Sequence, residues 1–175
     1  IPGSIFIGLK GGFAPWVGSV LKNINTSILL VCDQGFESEA IMRLSRVGFD
    51  NAIGYLDGGY ASWEESNKPT DTIESINSEA LSEIIKTDIS LLDVRNCGER
   101  KNGFLPKALS IPLNGIDSHI ESLDKESKHH IHCAGGYRSM IACSILKKYG
   151  FKSLVDVEGG FASIEKVSSF EIEKS

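Results

Sequence analysis

The same alternation of apolar and polar runs occurs twice along the chain, and this repeat sets the expected architecture. Residues 28–31 (Ile-Leu-Leu-Val) and 128–132 (Lys-His-His-Ile-His) are short bounded runs that suit strands. Each leads into a loop opened by a cysteine, and then into a run with apolar residues at helical spacing. The second helical run, from Ser139 to Tyr149, stops at Gly150, a residue placed to end a helix. Aligned on these features, Cys32 matches Cys133, Gly35 matches Gly136 and Ser38 matches Ser139. Gly48-Phe49 then matches Gly150-Phe151 after a one-residue shift, and Gly58-Gly59-Tyr60-Ala61-Ser62 matches Gly159-Gly160-Phe161-Ala162-Ser163. Both copies read strand, loop, helix, strand, glycine pair, helix. That order predicts an α/β fold of two modules, each a mainly parallel sheet flanked by crossover helices.

The copies differ in completeness. Residues 1–7 match residues 105–111, but ahead of the latter the second copy has a further strand, residues 89–95, and the first copy has no counterpart. The polar run 66–72, with Pro69, reads as a linker, so a truncated first domain is expected over 1–70 and a complete one over 71–175. A sheet lacking an interior strand leaves backbone groups unpaired. The expectation is therefore a fragment of a longer protein, or a gap filled by the tail 167–173 or by a second chain. Residues 1–9 read as a strand, 11–18 as a glycine-rich surface loop anchored by Trp16, and 79–86 as a helix capped by Asn77 or Ser78.

Composition narrows the function classes. The chain has 175 residues, 41% of them hydrophobic and 23% charged, as in ordinary soluble globular proteins. Net charge is −5 with no Lys/Arg-rich run, which argues against nucleic-acid and anionic-membrane partners. No apolar stretch reaches membrane-spanning length and no signal peptide opens the sequence, so a cytoplasmic location is expected. Four cysteines (Cys32, Cys97, Cys133 and Cys143) without a Cys-x2-Cys pair suggest neither a disulfide scaffold nor structural zinc. His130 and His132 share one strand face, but no carboxylate or thiolate is placed to complete a metal set. No metal and no cofactor are expected.

The chemistry gathers in Cys133-Ala134-Gly135-Gly136-Tyr137-Arg138-Ser139. A strand ending in cysteine, a glycine turn and a helix start together build a cradle of N–H groups for an anion. The same groups stabilise a thiolate. Four residues separate Cys133 from Arg138, one fewer than in the Cys-x5-Arg loops of cysteine-dependent phosphatases and arsenate reductases. The smaller ring suits a terminal sulfur better than a tetrahedral phosphate.

Cys-x-x-Gly-x-Arg-Ser resembles the active-site loop of the rhodanese (sulfurtransferase) family. CAGGYRSMIA is similar to the version in bacterial fusions of a metallo-β-lactamase-like persulfide dioxygenase with rhodanese modules. The resemblance implies a ping-pong sulfur transfer in which Cys133 attacks a small donor, thiosulfate or a persulfide, and passes the sulfur to a thiol or cyanide. It implies that the N–H groups of Ala134, Gly135, Gly136, Tyr137, Arg138 and Ser139 hold the terminal sulfur, and that Arg138 steers the anionic donor. It also implies an upstream dioxygenase-like domain as a partner. Asp93-Val94-Arg95 with Glu99 matches the family's Asp-x-Arg and following acidic residue. These support the site, Arg95 more through an internal ion pair than through direct catalysis. In the first copy Glu37 replaces the arginine and Asp33 follows the cysteine, so Cys32, Gly35 and Glu37 read as a degenerate site. Cys97 reads as a loop cysteine, with resolution of a Cys133 persulfide as its alternative, and Cys143 as a core residue. The rival functions are a phosphatase and a non-catalytic scaffold.

Overall fold

The computed structural model describes residues 1–174. Contacts divide the chain into two units, one of residues 1–2 and 7–71, the other of residues 3–6 and the chain from Thr72 on. The first unit runs α1 (Phe13–Val20), β1 (Ile28–Leu30), α2 (Glu37–Ser45), β2 (Ala52–Tyr55) and α3 (Gly59–Glu65). Strands β1 and β2 pair in parallel, Leu30 opposite Tyr55. Their inner residues meet Phe13, Val17, Leu44 and Phe49 in a small core. Their outer residues do not, and Leu29 and Ile53 are each 66% exposed.

Three expectations for this region change. Residues 1–9 form no strand: Gly3 turns the chain at φ +77°, residues 3–6 make their contacts with the second unit, and Ile7 and Leu9 join the first core. No continuous ladder spans the run. Residues 11–18 are not a loop, because α1 begins at Phe13. Pro15 falls in its first turn, where an N–H has no intrahelical acceptor to lose, while Phe13 and Val17, one turn apart, bury the same side. The tail supplies no strand to the first sheet. Phe170 enters the second unit's core, and Glu173 bridges Phe104 in antiparallel fashion.

The second unit runs β3 (Glu74–Ile76), α4 (Ser78–Ile84), β4 (Ser90–Asp93), α5 (Cys97–Arg100), β5 (Leu109–Ser110), a 3₁₀ helix (Leu113–Ser122), β6 (Lys128–His132), α6 (Tyr137–Lys148), β7 (Ser153–Val157) and α7 (Gly160–Ile164). Its five strands are all parallel in the order β3-β7-β6-β4-β5. Asn77 caps α4 by accepting the Ala80 N–H at 2.8 Å. Leu81, Leu91, Leu105, Val157, Phe161 and Ile164 form one core cluster, while α6 packs on β6 and β7. Strand β6 lies in the middle of the sheet, so both its faces are buried and its three histidines need internal partners. His129 finds Ser90 Oγ and the Asp124 carbonyl, both at 2.7 Å. His130 reaches the Ser90 carbonyl at 3.3 Å. Among the described residues, no helix is long and apolar enough to cross a membrane.

Candidate active site

Strands β4, β6 and β7 end at one edge of the second sheet, and the loops leaving them build the site. Strand β6 delivers Cys133, which is 1% exposed. The chain then turns through Gly136 at φ +96°, a left-handed geometry that favours glycine, directly into α6. The turn aims the Gly136 N–H at the Cys133 sulfur, 3.1 Å away. On the other side the Ser139 hydroxyl lies 3.6 Å from the sulfur and donates to the Gly136 carbonyl at 3.0 Å.

The loop is held from outside by the turn after β7. Phe161 N–H donates to the Cys133 carbonyl at 2.7 Å, and Ala162 N–H to the Ala134 carbonyl at 3.0 Å. Anchoring these carbonyls outward leaves the Gly136 N–H to face the sulfur. The approach is close enough that a Cβ on Gly160 would overlap the Cys133 carbonyl oxygen and lie 2.9 Å from both Ala134 C and Gly135 N. Gly159 and Gly160 are therefore site-building residues that were not among the expected site residues. Their signal was in the repeat, where both copies place a glycine pair before an aromatic residue.

Arg138 reaches back to α5. Its guanidinium forks onto Glu99, with Nη1–Oε2 at 2.5 Å and Nη2–Oε1 at 2.7 Å. Glu99 Oε2 also accepts the Asn96 N–H at 3.0 Å. The Arg138 hydrogen bonds hold the Glu99 carboxyl below the usual carboxylate range. Two of the five guanidinium donors are so engaged.

Asp93 and Arg95 form a buried ion pair beneath the loops. Asp93 is completely buried, and it accepts from Arg95 Nε at 2.9 Å, Arg95 Nη2 at 2.8 Å and the Arg95 N–H at 3.0 Å. Arg100, absent from the expected set, adds a bond to Asp93 at 2.9 Å. Arg95 stacks over Phe161 at 3.9 Å and donates to the Gly103 carbonyl at 2.9 Å. Arg95 thus ties the end of β4 to the turn that holds the Cys133 loop. Burial acts to raise the Asp93 carboxyl, but the Arg95 hydrogen bonds and charge, together with His132, hold the group below its ordinary range. A carboxyl lowered on folding contributes stability above its unfolded pKa, and that stability is lost as pH falls through the folded value. Unfolding followed by circular dichroism is therefore expected to show acid destabilisation that Asp93→Asn reduces. An unchanged acid slope in the variant would count against this pair as its source.

Strand β6 also places His132, fully buried, beside the site. Its Nε2 has no hydrogen-bond partner among the described residues and lies 3.9 Å from Asp93 Oδ2. Burial pushes its pKa down, so the ring is neutral at physiological pH. Among the described residues no group of three or more His, Cys, Asp or Glu side chains is placed to hold a metal. Cys97 begins α5 and is exposed, whereas Cys143 lies buried in α6, where burial pushes its thiol pKa up.

The first unit shows what an arginine-free loop does. Glu37 turns its carboxylate back onto the Gly35 N–H, at 2.9 and 3.1 Å from its two oxygens. The chain's own anion thereby occupies a cradle donor. Burial raises the Cys32 pKa, and the charges of Glu37 and Asp33 raise it further. Cys32 is therefore expected to alkylate more slowly than a free thiol at neutral pH, and Glu37→Gln to speed it roughly threefold by removing one of those charges. Peptide-resolved mass spectrometry with iodoacetamide measures this, and an unaltered Cys32 rate in the variant would contradict it.

Comparison with known proteins adds a family and relatives. The model of the rhodanese-like domain matches residues 1–66 and again residues 77–166. The Bacillus subtilis protein named "Putative sulfurtransferase YtwF" is 39% identical over 95 residues, 53% of this chain and 91% of that protein. A sulfurtransferase of Allochromatium vinosum is 31% identical over 90 residues, 50% of this chain and 84% of its own. Among solved structures, a rhodanese-related protein from Thermoplasma volcanium superposes with a TM-score of 0.53 at 31% identity, covering 58% of this chain and 99% of that one.

Proposed function

The chain belongs to the rhodanese-like domain family, and from that premise we propose that it is a sulfurtransferase carrying a sulfane sulfur on Cys133 of its second unit. The observation that supports this most directly is the sulfur itself, buried at the mouth of α6 with the Gly136 N–H pointing at it. In the proposed cycle the Cys133 thiolate attacks the outer sulfur of thiosulfate or of a low-molecular-weight persulfide. The S–S bond of the donor breaks as the new one forms, and sulfite or a thiolate leaves with the bonding pair. The enzyme persulfide rests against the N–H groups from Ala134 to Ser139 until a thiol or cyanide removes its outer sulfur. Arg138 acts on the anionic donor through the donors that Glu99 leaves free. Asp93, Arg95 and Glu99 keep the loops in place and take no part in the bond changes.

In this reading the first unit carries no sulfur. Its cradle donor is already satisfied by Glu37, which favours a scaffolding role over catalysis for that copy. On the resemblance of the CAGGYRS loop we propose a persulfide-consuming, metallo-β-lactamase-like partner upstream, which the full reading frame would test.

Mass spectrometry after incubation with thiosulfate or glutathione persulfide tests the cycle, with one added sulfur expected on the Cys133 peptide. If neither donor adds sulfur there, the reading fails. Arg138→Ala is expected to slow loading by thiosulfate about 10- to 100-fold, the scale of losing one charged donor from an anion site. Arg138→Lys should not restore it, because a point charge does not reproduce the fork on Glu99. Full activity in both variants would remove Arg138 from the mechanism.

A further inference from the structure

His132 closes β6 one residue before the reactive cysteine, and the parallel register sets it opposite Asp93 of β4. The ring is fully buried and stacks on Phe161 with the centroids 6.3 Å apart. Both of its nitrogens face oxygen. Nδ1 lies 3.3 Å from the Cys133 carbonyl oxygen, at the long end of hydrogen-bond reach. Nε2 lies 3.9 Å from Asp93 Oδ2, beyond that reach, and has no hydrogen-bond partner among the described residues.

A neutral imidazole carries one N–H, so it can answer only one of these oxygens. Asp93 Oδ2 already accepts from Arg95 Nη2 at 2.8 Å and from Arg100 Nη1 at 2.9 Å. With two guanidinium groups on one carboxylate, a third buried cation would lack a counter-charge. Burial outweighs the pull of Asp93 and keeps the ring neutral. The proton therefore belongs on Nδ1, facing the Cys133 carbonyl, and Nε2 stays a bare acceptor.

The same carbonyl takes the Phe161 N–H at 2.7 Å, so both its lone pairs are used. The Cys133–Ala134 peptide is trans and planar, so fixing the carbonyl also fixes the Ala134 N–H on the other side of the bond. Phe161 contributes its hold from the backbone, where no side-chain replacement reaches it. His132 contributes the part that a substitution can alter.

We propose, on the reading of Cys133 as the sulfur carrier, that His132 is a positioning residue: its Nδ1–H holds the Cys133 carbonyl so that the Ala134 N–H is turned to receive the outer sulfur of the persulfide. The ring takes part in no bond change and passes no proton during the cycle.

Nitrogen-15 NMR of the imidazole in the full chain reads the tautomer directly, and the proton is expected on Nδ1 at neutral pH. The Ala134 amide resonance gives a second readout in the same chain, and it is expected to shift when Cys133 takes up sulfur. Two variants then separate hydrogen bonding from packing. His132→Asn places an N–H where Nδ1 stands, and His132→Gln places one where Nε2 stands. The Asn variant is expected to load sulfur on Cys133 within about threefold of the parent rate. The Gln variant is expected to load about 10-fold more slowly, the scale of one lost hydrogen bond, with a smaller Ala134 shift. A packing role alone predicts the reverse order, because Gln is nearer to His in volume. If the variants fold poorly, the two NMR readouts on the unaltered chain still decide. A proton on Nε2, an Ala134 resonance indifferent to loading, or a Gln variant that loads as fast as the parent overturns the proposal. A chain that loads sulfur and gives any of those results keeps its function and loses this role for His132. One with the proton on Nδ1 that takes sulfur from neither donor keeps the hydrogen bond and loses the sulfur-carrier reading.

Discussion

Cys133→Ser is expected to abolish sulfur loading, lowering transfer from thiosulfate to cyanide by about 10³-fold or more, because the replacement oxygen stays protonated and forms no stable bond to sulfane sulfur. The substitution is nearly isosteric, so the Gly136 N–H keeps an acceptor and the buried loop keeps its shape. The loss then reads chemistry and not folding, which a thermal melt of the variant would confirm. The other three cysteines give the experiment its edge. Cys32 is disfavoured by burial and two neighbouring carboxylates, Cys143 is buried, and Cys97 lies exposed on α5. Transfer that survives in Cys133→Ser would move the sulfur-carrying role to one of them.

Gly160→Ala is expected to be the most damaging single methyl added to the second unit. Gly160 has φ +56°, where an alanine is strained, and the new Cβ would strike the backbone of Cys133, Ala134 and Gly135. Backbone cannot yield as a flexible side chain does. Left-handed strain and overpacking together cost about 3 kcal/mol. Urea unfolding is the measurement for that loss, and a midpoint within error of the parent would show that the loop relaxes freely. Any folded fraction should load sulfur poorly, because relieving the clash means giving up the Phe161 and Ala162 hydrogen bonds that orient the loop. Glycine 59 stands in the same relation to the Cys32 carbonyl, so the first unit keeps this construction although its loop has changed.

Much of this was legible in the sequence because it is local. A cysteine, a glycine able to adopt positive φ and a run of helical periodicity lie within a dozen residues, and neighbouring residues alone decide that a strand ends, a cradle forms and a helix starts there. Repetition made the parallel α/β order legible as well. Local reading failed where a segment's partner was remote. Residues 1–9 carry strand-like composition but no continuous ladder, and a proline and three glycines suggested a loop where Phe13 and Val17 find a core to cover. The tail had been a candidate to complete the first sheet, and its Phe170 joins the second unit's core, with Val167 and Ile172 packed against it.

The sequence alone determined the Cys133 loop with its glycine turn into a helix, the two-copy architecture and the loss of arginine in the first loop, since each depends on residue type and short spacing. Tertiary structure alone decided which charges meet. Glu99 takes Arg138 across 39 positions of sequence, Arg100 joins Arg95 on Asp93, and the Gly160 turn presses on the Cys133 carbonyl. These pairings follow from the order of strands in a parallel sheet, which brings the ends of β4, β6 and β7 to one edge however far apart they lie along the chain.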